Sequence, residues 1–134
     1  MNRLQTISVA LAQKMDQLQA RENIQLAIAA CQYALHVSGW KDADVDKAFS
    51  GLKRNGTLTE PELAFCRKRG EALDNDYFIK QENGETDSII SFSRARVVSA
   101  ILLLHAGEYS ESVYESLISL DDTAQLLAVL YEKG

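Results

Sequence analysis

The sequence predicts an all-α protein, a single-domain bundle or orthogonal array of six to seven helices around a buried central helix at about 91–106. Three observations carry that prediction. The chain of 134 residues has one proline and seven glycines, with many alanines, leucines, glutamines, glutamates and lysines, which favours helix over strand. Apolar residues recur at steps of three and four through most of the chain. The stretch Val97–Leu104 is apolar on nearly every side, so it must be wrapped by other helices. The length suits one domain, 1–134, which can bury a core without staples.

Residues 3–20 carry one apolar stripe, Leu4, Ile7, Leu11, Met15 and Leu18, with glutamines on the other side. Residues 22–38 continue as helix, with a row of Ile24, Ile28, Cys31 and Leu35 beside Ala27, Ala30 and Ala34. The stripe changes phase near Ala20–Asn23, so 3–38 is either one long helix or two with a break there, and the phase change favours the break. Gly39 suits a left-handed cap, with Trp40 folding back on the last turn. A helix at about Asp42–Leu52 follows, capped by Asp42 or Asp44.

The strongest local signature is Leu58-Thr59-Glu60-Pro61-Glu62-Leu63. Thr59 and Glu62 have capping-box spacing, Leu58 and Leu63 staple spacing, and Pro61 falls in the first turn. They predict a helix from Glu60 to about Leu73. Residues 74–88 read either as a small hairpin about Asn83-Gly84 or as an irregular or short helical connection, which the marginal stability of two lone strands favours. The apolar helix then runs to Ala106 and is capped by Gly107. A helix over Ser110–Ser119 and a last one opened by Asp122 and Gln125 complete the set.

Asn55-Gly56-Thr57-Leu58-Thr59, closing on Glu62, resembles the second half of an EF-hand calcium loop. Gly51 and Lys53 stand where the first ligands belong, and a lysine opposes a dication. The capping box already accounts for Thr59 and Glu62, so no metal is expected. The histidines, His36 and His105, each precede a cap glycine, where a helix end favours hydrogen bonding to free carbonyls. Cys31 and Cys66 read as buried free thiols of a reducing compartment. No run reaches eighteen apolar residues, so no membrane span is expected and a cytoplasmic location is the default.

Charge is unevenly placed. Residues 1–106 hold thirteen acids and thirteen bases, whereas 107–134 hold six acids against Lys133. Glu108, Glu111 and Glu115 are spaced to share one exposed helix face, with Asp121 and Asp122 beyond it. An acidic end opposes nucleic acid and suits a basic protein partner. Arg67-Lys68-Arg69 splays around its helix and forms no basic stripe. Arg94 and Arg96 lie in the first turns of the apolar helix, where cations are disfavoured. They call for an internal carboxylate (Asp87, Glu85 or one on the following helices) or for an anion or partner carboxylate.

No phosphate loop, nucleophile elbow or metal-helix motif occurs, and no cofactor is expected. The functional expectation is a non-catalytic protein-binding module. Its sharpest form is an antagonist or immunity-like protein that masks a basic partner with the acidic C-terminal helices. The competing reading is a small-ligand or anion binder, or an enzyme, with a site around Arg94 and Arg96. A third is a homodimeric structural or adaptor protein joined through the stripe of the N-terminal helix.

Overall fold

The computed structural model describes residues 3–132. A short 3-10 turn, Arg3–Thr6, leads into α1 (Val9–Gln17), α2 (Ala20–Ser38), α3 (Ala43–Asn55), α4 (Glu60–Glu82), α5 (Ser88–His105), α6 (Tyr109–Ile118) and α7 (Ala124–Glu132). There are no strands among the described residues. Helix α5 is the hub: α4, α6 and α2 pack on it, and α3 touches it. Val97, Val98, Ala100 and Ile101 along its middle have no exposed surface. By length and mean hydropathy alone this 18-residue helix could cross a bilayer. In the structure its apolar middle is covered by neighbouring helices of the same chain.

The N-terminal stretch divides at Leu18–Gln19, just before the change of phase. Ser8 caps α1 through the Leu11 amide. Gln19 opens α2, and the Glu22 side chain accepts from the Gln19 amide in return. On α2 the small residues Ala27, Ala30 and Ala34 are fully buried with Cys31 and Leu26, while Ile24, Ile28 and Leu35 are only half buried. The alanine row lets neighbouring helices approach closely. Leu4, Leu11 and Met15 of the first stripe are buried inside the chain. That stripe therefore serves the chain's own core, and the homodimer reading loses the surface that motivated it.

Asp42 caps α3 by accepting from the Asp44 and Val45 amides, and Arg69 on α4 pairs with it at 2.7 Å. Thr59 and Glu62 form the expected capping box of α4. That helix does not stop near Leu73. It continues through residues 74–82 and turns at Asn83-Gly84, which replaces both the hairpin and the short connection. Nothing between Leu73 and Glu82 breaks a helix. The outer half packs on α5 through Tyr77 against Phe92, and Phe78 and Ile79 remain more than half exposed. The Lys80 ammonium closes the turn, 3.2 Å from both Asp76 and Asp87.

Candidate functional site

The acidic C-terminal face does not form as spacing alone suggests. Helix α6 lies against the 3-10 turn, α2 and α5, and Ser112, Glu115 and Ser116 all point inward. The serines fit there because they are small, and two of them bond nearby carbonyls, whereas the Ser116 hydroxyl is buried without a hydrogen-bond partner. Ser112 Oγ donates to the Ala100 carbonyl at 2.7 Å, and Ser119 Oγ to the Ser116 carbonyl at 2.7 Å. Glu115 is 3% exposed, which corrects its placement on an exposed face. A carboxylate so buried must be paired. Arg3 Nη2 reaches it at 3.2 Å, Arg96 Nη1 at 3.4 Å and Ser99 Oγ at 3.3 Å. Arg96 also donates to Asp74 at 3.0 Å, while its Nε atom is buried without a partner. Glu111 is held by Arg3 at 2.7 Å, and this contact raises the affinity of the Arg3 guanidinium for its proton.

Arg96 thus finds its compensation inside the protein, from Glu115 on the following helix and Asp74 on the preceding one. Asp87, the alternative partner, belongs to Lys80. Glu108 is exposed at the start of α6. Asp121 and Asp122 are exposed beyond its other end, where Asp122 accepts from the Ala124 amide at 2.9 Å. The five acidic residues therefore divide: Glu115 is buried among Arg3, Arg96 and Ser99, Glu111 is bound by Arg3, and Glu108 stands a helix length from the Asp121–Asp122 pair.

Arg94 behaves differently from Arg96. It stacks over the Trp40 ring, 5.5 Å from its centroid, and no carboxylate pairs with it among the described residues. It lines a groove of about 210 Å³ bounded by the end of α2, the start of α5 and the α6–α7 turn. Val37, Ile89 and Ile90, each about half exposed, form the groove's apolar wall with Leu120, and Asp121 stands at its side. Val37, Leu120 and the isoleucine pair carried no functional signal in the sequence. Both isoleucines fall in the first turn of α5, a helix whose core face is already filled by later residues.

The remaining chemistry is structural. His105 Nδ1 accepts from the Leu58 amide at 2.9 Å. It serves as an acceptor for a neighbouring loop rather than as a donor to carbonyls of its own helix end. His105 does not join Arg94 and Arg96 in a common pocket: the hollow beside Arg96 is lined by Arg67, Glu71, Asp74, Ser99 and Leu102. Glu62, the EF-hand-like acid, accepts from the Thr59 amide at 2.9 Å, and that bond holds its carboxyl below the usual range. Among the described residues no group of three or more His, Cys, Asp or Glu side chains converges on a common point. Cys31 and Cys66 are buried free thiols, which burial pushes up to about 12 and about 11. Comparison with protein-family models, with curated proteins and with solved structures yields no match.

Proposed function

We propose that this chain is a non-catalytic protein-binding module whose binding surface is the groove between α2, α5 and the α6–α7 turn. One observation carries the reading: half-exposed Val37, Ile89 and Ile90 meet Arg94 and exposed Asp121 in a single concavity. Aliphatic side chains left in water cost free energy that a partner's apolar group recovers on docking. At about 210 Å³ the groove falls below the roughly 300–1,000 Å³ of sites that enclose small ligands, and suits one or two side chains of another protein. A larger hollow of about 480 Å³ between α3 and α4 is lined by Asp44, Lys47, Thr59, Glu62 and Phe65, of which Thr59 and Glu62 are bonded to each other in a helix cap.

The groove takes an aliphatic anchor with a basic group beside it, the base meeting Asp121. This keeps a basic group on the partner, as the charge distribution suggests, but moves its seat from the α6 face to the α6–α7 turn. A module of this kind acts by covering its partner's surface, in the manner of an antagonist or immunity-like protein. The test is affinity capture from the native cell with the wild-type chain and with Ile90→Asp, a half-exposed position where the change leaves the core intact. The reading predicts that a captured protein is lost with Ile90→Asp, and an identical captured set would reject it.

A further inference from the structure

The groove described above asks for an aliphatic anchor followed by a base, and the chain itself carries that pair. Ile90 and Arg94 lie four residues apart in the first turns of α5, so they share one face of the helix. Both also line the groove. The groove is thus receptor and ligand at once.

Its charges point the same way. Arg94 and Asp121 line the same concavity, yet they do not pair within the chain; Arg94 rests on Trp40 and Asp121 is exposed. A partner of uniform positive charge would meet Arg94, and one of uniform negative charge would meet Asp121. A surface holding one charge of each sign beside an apolar wall is complementary to its own rotated image. In a twofold dimer every residue contact occurs twice, with the roles exchanged. Each Arg94 then faces the other copy's Asp121, and the aliphatic walls close on each other.

We propose, resting on the groove as a protein-binding surface, that its occupant is a second copy of this chain, docked about a twofold axis through the start of α5. This is a different surface from the N-terminal stripe, which the fold buries.

The arrangement has a diagnostic consequence. Arg94→Glu places two acids at each contact and Asp121→Arg places two bases, so each variant alone repels itself. When the two variants are mixed, the acid introduced at position 94 of one chain meets the base introduced at position 121 of the other. The native Arg94–Asp121 pair survives at the second contact. Sedimentation velocity of the full chain over a roughly hundredfold concentration range is the measurement, with far-ultraviolet circular dichroism to show each variant folded. The expected result is a concentration-dependent wild-type dimer, with each variant weakened roughly tenfold or more, and recovery on equimolar mixing. Ile90→Asp is expected to be monomeric alone and in every mixture. A wild type that stays monomeric overturns the proposal. So does a dimer indifferent to all three substitutions, or a mixture that fails to recover. A monomeric wild type that still captures another protein through Ile90 refutes only the second copy and leaves the groove reading standing. Loss of both removes both.

Discussion

Glu115 shows how a residue can be misjudged from its neighbours. Its helix is rich in serine and acid, a composition that reads as a wet surface. Its partners Arg3 and Arg96 come from positions 112 and 19 residues away. No local pattern reports such a pairing, so the burial of Glu115 was not legible, whereas the need of Arg96 for an internal carboxylate was. Removing one member of a buried pair strands the other. Glu115→Ala is expected to cost about 3 kcal/mol in urea unfolding. Arg3→Ala, which removes a half-exposed partner, is expected to cost under about 1 kcal/mol. Equal costs would show that the network is not centred on the carboxylate. His105→Ala leaves the buried Leu58 amide without an acceptor, and about 1–3 kcal/mol of destabilisation follows on the same assay.

Helix ends were the most legible elements. Gly39 takes φ 65°, the conformation its capping role requires. Asp42, Thr59 and Glu62 cap as their spacing says. Helix α4 was half legible: its start is written in the capping box, but its outer half buries no residue fully and leaves Phe78 and Ile79 in water, so apolar periodicity fades while the helix persists. The α4 cap also sets an acid dependence. The Thr59 amide holds the Glu62 carboxyl down, and the Ser91 hydroxyl with Lys80 does the same for Asp76. A carboxyl lowered in the folded state stabilises above its unfolded value, roughly pH 4, and that contribution disappears as pH falls through the folded value. Melting temperature is therefore expected to fall below about pH 4 in the wild type. Glu62→Gln combined with Asp76→Asn flattens that acid limb and lowers the neutral-pH value; an unchanged slope would place the acid dependence elsewhere. Thr59→Ala alone is expected to cost about 1 kcal/mol.

Across the whole molecule, the buried hub α5 and the all-helical class followed from composition and from one uniformly apolar stretch. The groove did not, because it exists only where α2, α5 and the α6–α7 turn meet. The thiols report on the integrity of the core. Cys31 is fully buried and its thiol is raised to about 12, so alkylation at about pH 8 is expected only after global unfolding. A group raised in the folded state stabilises below its unfolded value and loses that contribution as pH climbs to the folded one, so stability declines from about pH 9 upward. Rapid labelling of Cys31 under native conditions would show instead that α2 opens locally.

The contacts that Arg3 and Lys14 make carry a further consequence, for the order of events during synthesis. Arg3 is anchored by Glu111 and Glu115, and Lys14 Nζ donates to the Leu130 and Tyr131 carbonyls at the end of α7. The 3-10 turn and α1 are thus fastened to α6 and α7. Until α6 and α7 leave the ribosome, Leu4, Leu11 and Met15 have an incomplete seat, and closing so long a loop is slow compared with forming the α4–α5 hairpin. While α2 to α5 are being made, Leu4, Leu11 and Met15 stay unseated, and a chaperone has more apolar surface to hold in that interval than after α7 has emerged.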